Sequence, residues 1–353
     1  MNLLLNDEQR MLQDAVRRFV ADRSPMRQVR EVIASEAAFS VDVWHGLARD
    51  LGLAGLVIPT RFGGAGATQT DLSVVLAELG AGLVPSPLLA SGVLATGLLL
   101  QLDDEAARGE LLPGIASGER IGTVCLADGS VSSTGDRLRG EVSPVINGAE
   151  ADFLLVATRD GVYLVEADAA GLKRCRLTAV DHTRSLARVV FEEVQGRRLA
   201  GETASAVDTL RNLANLALAS EQCGGMARCL SMTTEYAKVR YAFGQPIGAF
   251  QGVKHRLDRH TDWELAHAAL REATRCADSD SDQAGLTVAA AVARALASSA
   301  YMQAAADTIE LHGGIGYTWD YDAHLYYKNA LSNKVLFGDP NAQLDRLADA
   351  LGL

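Results

Sequence analysis

After Gly201 the chain carries four long stretches of helical patterning, spanning about 204–238, 250–276, 283–312 and 322–350. The joins between them are short, so consecutive helices must bury their apolar stripes against one another as a bundle. The third stretch is alanine-rich, with Val288, Val292, Leu296 and Met302 set among small residues that favour helix and let neighbouring helices approach closely. On the first stretch, Glu221-Gln222 followed by Gly224-Gly225 suggests another point of close helix packing, where a buried Glu221 would need a polar partner.

Ahead of the bundle the pattern is also helical. Asn6 is placed to cap a first helix whose apolar face is Met11, Leu12, Val16, Phe19 and Val20, spaced by three and four. Similar patterns cover 41–51, 72–79, 88–100 and 105–115, and the glycines between Gly52 and Gly66 make a long loop. From Gly122 the texture changes to short apolar runs at 123–127, 152–157, 161–165 and 187–191, separated by Asp128-Gly129, Asn147-Gly148 and Asp160-Gly161. That texture reads as a small antiparallel β domain. The expected fold is therefore mainly α with a small β domain: an N-terminal α-helical domain over 1–121, a middle β domain over 122–200, and a C-terminal four-helix bundle over 201–353.

Composition narrows the function. A formal charge of -11 with no basic stripe argues against nucleic acid, whose binders need a basic face. The cysteines Cys125, Cys175, Cys223, Cys229 and Cys276 are scattered, with no CxxC pair, and read as buried thiols in a reducing cytoplasm. The histidines form no ligand cluster, so no metal is expected. Met1 to Glu8 lack the basic and apolar regions of a signal peptide. The most apolar run, 88–102, is interrupted by Ser91, Thr96 and Gln101 and falls short of the roughly 20 residues of a spanning helix. No membrane insertion is expected.

Two joins carry the chemistry. Arg240-Tyr-Ala-Phe-Gly-Gln-Pro-Ile-Gly-Ala-Phe-Gln251 offers a guanidinium, a ring, glycine backbone at Gly244 and Gly248, and an amide, which together suit a phosphate-bearing aromatic ligand. The same residues also suit a plain helix connection broken by Gly and Pro. Glu310-Leu-His-Gly-Gly-Ile-Gly316 closes another helix with glycines, whose amides can approach a pyrophosphate with no Cβ in the way.

In this order, RxxFGxxxxxFQ at 240–251 and ExxGGxGYTWDYDAHLYYK at 310–328 resemble the C-terminal domain of the acyl-CoA dehydrogenases. These are FAD-dependent enzymes that oxidise acyl-CoA thioesters to 2-enoyl-CoAs. The helical N-terminal third and its glycine loop resemble the family's first domain. The resemblance implies FAD contacts from Arg240, Phe243, Phe250, Gln251, Glu310, Gly313 and Gly314. Glu310 departs from the family's usual Gln, and an acid near a diphosphate is unfavourable unless it points away or meets a cation.

Such an enzyme needs a carboxylate base beside the thioester, which the family places in one of two positions. Counting 24 residues on from Gly313, the first position holds Phe337; counting 29 back from Phe243, the second holds Ala214, followed by Asn215. Neither is an acid. Asp339 and Glu221 are the nearest substitutes, although Asp339 also reads as a turn acid before Pro340, and Glu221 as a helical carboxylate. The family's Thr-Glu-Pro-xx-Gly-Ser-Asp segment, which holds the flavin ring, is replaced by Leu126-Ala-Asp-Gly-Ser130 and Val131-Ser-Ser-Thr134.

A retained hold on a neighbour's FAD without a base resembles the non-catalytic subunit of actinobacterial α2β2 steroid and cholesterol side-chain dehydrogenases. It implies a related partner subunit carrying the Glu, a bulky acyl-CoA substrate, and electron-transfer flavoprotein as the family's usual acceptor. Two alternatives stand beside it: a homomeric enzyme with a displaced base, and a flavin-free structural pseudoenzyme. The aromatic group Tyr317, Trp319, Tyr321, Tyr326 and Tyr327 fits packing or a substrate mouth. His255 and His260 are expected on one bundle helix at a surface or interface. Arg256 and Lys254 fit a solvated face or a CoA phosphate.

Overall fold

The computed structural model describes residues 4–279 and 283–353. They form two compact units, each built from separate stretches of chain: one from the N-terminus to Val29, Gln69–Val84 and Asn215–Leu353, the other from Arg30–Thr68 and Pro85–Ala214.

The second unit combines short helices with eight strands: β1 (Gly122–Leu126), β2 (Val131–Thr134), β3 (Arg137–Ile146), β4 (Phe153–Ala157), β5 (Val162–Glu166), β6 (Leu172–Arg176), β7 (Leu186–Gln195) and β8 (Arg197–Arg198). They make two sheets, ordered β1-β4-β5-β8 and β2-β3-β7-β6. Cys125, Leu154 and Val156 of the first sheet cluster with Leu138, Val189 and Phe191 of the second. The pairing is antiparallel as expected, with one correction: β1 and β4 run parallel. Between them the chain leaves for the β2–β3 hairpin of the other sheet and comes back, and such a crossover delivers β4 in the direction of β1. Strands β2, β3 and β6 escaped the apolar-run reading because one face of each is polar.

The first unit is helical. Asn6 caps Asp7–Arg23 in a reciprocal box with Gln9. Helix Gln69–Ala81 joins the bundle helices Thr203–Val239, His260–Ala277, Gln283–His312, Ala323–Val335 and Pro340–Leu351; the first of these begins in the other unit. Two of the four expected rods are broken. The second is interrupted after the short helix Gln251–Leu257, which puts His255 and His260, both exposed, on separate helices. The fourth is interrupted because Phe337 and Gly338 take left-handed backbone, at φ +56° and +98°, ahead of Pro340.

The Gly224-Gly225 signal corresponds to close contact. A Cβ at Gly224 would stand 1.8 Å from the Ala77 carbonyl oxygen, and one at Gly225 would stand 2.5 Å from the Tyr301 ring. On the facing helix, a Cβ at Gly80 would stand 2.2 Å from the Glu221 carbonyl oxygen. Asp278, which follows the second bundle helix, caps helix Gln69–Ala81 by accepting from Gln69 N at 2.6 Å and Thr70 Oγ1 at 2.6 Å.

By length and composition, Ala284–Tyr317 is long and apolar enough to cross a membrane, a stretch the apolar-run reading passed over. Its apolarity comes largely from alanines, among them the buried Ala290, Ala291, Ala293, Ala297, Ala304 and Ala305. The same helix carries the buried Arg294, which donates to Gln222 Oε1 at 2.9 Å, to Ser298 Oγ, and to the carbonyls of Asn333 and Leu336. Those last two are end-of-helix acceptors that would otherwise lack partners. Four cysteines are buried as expected, and burial pushes the Cys223 and Cys229 thiols up to about 12; Cys175, by contrast, is exposed.

Candidate functional site

Arg240 directly follows the helix Thr203–Val239, and the next residues form a tight hairpin in which Tyr241–Ala242 pairs with Gln245–Pro246. Phe243 at the tip has φ +52°, Gly244 has φ +83°, and Ile247 N donates to Arg240 O at 2.7 Å. This geometry turns Phe243 outward. It is 95% exposed and meets Phe250 edge to face at 6.1 Å. Gln251 then opens the short helix Gln251–Leu257 with its side chain exposed. Arg240 is exposed and has no side-chain partner among the described residues.

The glycine motif lies beside the end of the helix that leads into this hairpin. His312, the last residue of its helix, stacks on Tyr236 at 4.2 Å, and Tyr236 Oη donates to His312 O at 3.4 Å. His312 Nδ1 lies 2.6 Å from Thr308 O; a carbonyl only accepts, so Nδ1 carries the proton. Burial lowers the pKa of this imidazole and favours its neutral form. Gly313 requires its left-handed φ of +65°. Gly314 requires nothing comparable, since a Cβ there would meet no atom within 4 Å. No contact inside the chain asks for glycine at 314, which suits a backbone cradle for a ligand arriving from outside.

Glu310 meets a cation. Its carboxylate forms an ion pair with Arg256 of the short helix, joining the two motifs, and the hydrogen bond that Arg256 donates to Glu310 raises the Arg256 pKa further. Arg256 was expected on a solvated face or against a CoA phosphate. Its exposure was legible, but its partner was not, because nothing local signals a contact between residues 256 and 310. The aromatic group divides: Tyr326 is buried and donates to Ala81 O at 2.7 Å, Tyr321 lies against His312, and Tyr317 and Trp319 are 72% and 58% exposed.

At the two positions where a base was sought stand Phe337 and Ala214, and the polar groups beside them are amides. Asn215, buried next to Ala214, donates from Nδ2 to Gln343 Oε1 at 2.7 Å, and Gln343 Nε2 donates to Phe337 O at 3.0 Å. Gln343 is 2% exposed and joins the Asn215 helix to the Phe337 turn. A buried glutamine on an amphipathic helix gave no advance signal of this link. Asp339 is exposed and caps the last helix, accepting from Ala342 N at 2.9 Å. Glu221 is half-buried where its helix crosses Gly80.

In the β-bearing unit, Asp128 follows β1 with φ +43° and forms an ion pair with Arg211 at 2.5 Å. Surface hollows of about 530 and 270 Å³ in that unit are lined by none of the expected site residues.

Comparison with known proteins gives the family. Residues 6–119 match the model of the acyl-CoA dehydrogenase N-terminal domain, and residues 185–352 match that of the acyl-CoA dehydrogenase C-terminal domain. The chain belongs to the acyl-CoA dehydrogenase family. It is 35% identical to acyl-CoA dehydrogenase IpdE2 of Mycobacterium tuberculosis over 97% of this chain and 96% of that one. Among solved structures, the Tcur3481-Tcur3483 steroid acyl-CoA dehydrogenase (G363A variant) superposes with a TM-score of 0.88 at 31% identity, covering 98% of both chains. The ChsE4-ChsE5 complex of Mycobacterium tuberculosis superposes with a TM-score of 0.92 at 28% identity, covering 100% of this chain and 99% of that one. Members of this family of oxidoreductases bind FAD, and the exposed guanidinium, amide and open glycine backbone fit a dinucleotide.

Proposed function

We propose that this chain is the base-lacking subunit of a heteromeric acyl-CoA dehydrogenase acting on a bulky, steroid-type thioester. In this reading it lends Arg240, Phe243, Phe250, Gln251 and the Gly313-Gly314 backbone to FAD held mainly by a related subunit. The observation that carries the proposal is the content of the two base positions. Phe337 and Ala214 carry no acid, and the amides of Asn215 and Gln343 that link the two segments cannot take up a proton from carbon at neutral pH. Within the β-bearing unit, Asp128 of the segment read from sequence as replacing the family's ring-holding residues is tied up in an ion pair with Arg211. That pair supports a flavin supplied from outside this chain. The two solved relatives, Tcur3481-Tcur3483 and the ChsE4-ChsE5 complex, support a pairing of unlike subunits.

Bound FAD would supply the hydride acceptor. This chain's part would be to fix the dinucleotide by a bidentate guanidinium contact and by backbone amides, while the partner's carboxylate removes the α-proton. Flavin absorbance tests the proposal directly. The chain purified alone should be colourless, and co-expression with a base-bearing relative should give a yellow, active assembly. Yellow and active protein from this chain alone would overturn the subunit reading; colourless protein in both preparations would favour a structural pseudoenzyme. Asp339→Asn should leave the assembly's turnover within about twofold of the starting protein. A ~100-fold loss, the size of a missing general base, would put the base on this chain.

A further inference from the structure

The segment leading into helix His260–Ala277 is joined to helix Gln283–His312 by two ion pairs, and the pairs differ in setting. Arg259 holds Asp307 at 3.1 Å, where the acid's side chain is only 10% exposed and also accepts from Gln303 Nε2 at 3.2 Å. One helical turn nearer the glycine motif, Arg256 holds Glu310 with side-chain exposures of 41% and 63%. A pair so open to water adds little to stability, but its position is informative. Glu310 stands one turn before Gly313, and Arg256 shares a short helix with Gln251. Two further cations on this surface, Arg240 and Lys254, have no side-chain partner among the described residues.

We propose that Arg256 is a second cation of the dinucleotide clamp, and that Glu310 is its resident counter-ion, displaced by the incoming pyrophosphate. This rests on the reading above that the glycine motif receives FAD. A pyrophosphate matches the planar guanidinium better than one carboxylate does, because it offers more acceptor oxygens and a higher charge. Glu310, already exposed, returns to water when it is released. The groups on Arg256 are then Asp307 and Arg259 from the inner rung and the ligand in place of Glu310. The exchange makes grip on the dinucleotide weaker than the count of cations suggests, so this chain depends on groups from its neighbour.

The test is the rate of FAD release from the flavin-loaded assembly after dilution, followed by the return of flavin fluorescence. Glu310→Gln should slow release roughly fivefold, because the competing acid is gone while the cation stays. Arg256→Gln should speed release by about the same factor, since it leaves Glu310 unpaired beside the phosphates. The double variant should fall between the two. Unchanged release in a flavin-holding assembly, with a lower melting temperature in both single variants, would make the pair a structural rung and overturn the assignment alone. An assembly that holds no flavin would overturn both this assignment and the reading on which it rests.

Discussion

Arg240→Ala is expected to strip most of the flavin from the assembly while leaving its melting temperature within a degree or so of the starting protein. The side chain is exposed and makes no contact that the fold needs, so its removal should cost folding little. Its hydrogen bonds to a diphosphate would be charge-assisted on both sides, a class that contributes about 2 kcal/mol, or ~30-fold in affinity. Flavin content per chain and FAD affinity are the measurements. Arg240→Lys gives the sharper comparison, because it keeps the charge but loses the planar fork; its affinity should lie between those of the arginine and alanine proteins. If Arg240→Ala retains FAD at the original affinity, the hairpin is a helix connection and nothing more.

Gly224→Ala is expected to be the most destabilising single methyl that can be added to the bundle. The new Cβ would stand 1.8 Å from the Ala77 carbonyl oxygen and 2.6 Å from its carbonyl carbon. Both are backbone atoms, so no side chain can turn aside and the two helices must separate. Separation would also open the adjoining contacts at Gly80 with Glu221 and at Gly225 with Tyr301. Overpacking of this kind costs about 3 kcal/mol or more, which at this size lowers the melting temperature by roughly 4 °C or more. Gly109→Ala makes the opposite change on an ordinary helix surface, where a Cβ meets nothing within 4 Å. It should stabilise the protein by about 0.5 kcal/mol through lost freedom of the unfolded chain. A Gly224→Ala protein that melts with the starting protein would mean that the helices do not cross as closely as described.

Legibility followed the range of the physics involved. Helix Asp7–Arg23 was readable from an Asn cap and a three-four apolar spacing, and β1, β4, β5 and β7 from apolar runs between turn pairs, because both are signals carried by neighbouring residues. Strands β2, β3 and β6 were not, since a half-exposed strand of alternating polarity resembles loop until its partner covers one face. The breaks at Asp258 and Phe337 were likewise hidden: a helical spacing continues through them, and only the backbone angles show where the rod ends.

The candidate site divides in the same way. Arg240, Gln251, Gly313 and Gly314, and the lack of an acid at 337 and 214, follow from residue identity and spacing along one chain. Which groups those residues meet does not. Glu310 looked like an acid misplaced beside a diphosphate until the fold put Arg256 against it. Gln343 looked like an ordinary polar helix residue until it was seen to join Asn215 to Phe337. A contact across 54 or 128 positions depends on how far each helix is rotated about its own axis when it packs. Local sequence sets which face of a helix is apolar, but the rotation that selects one partner over the next is settled by the whole bundle closing at once.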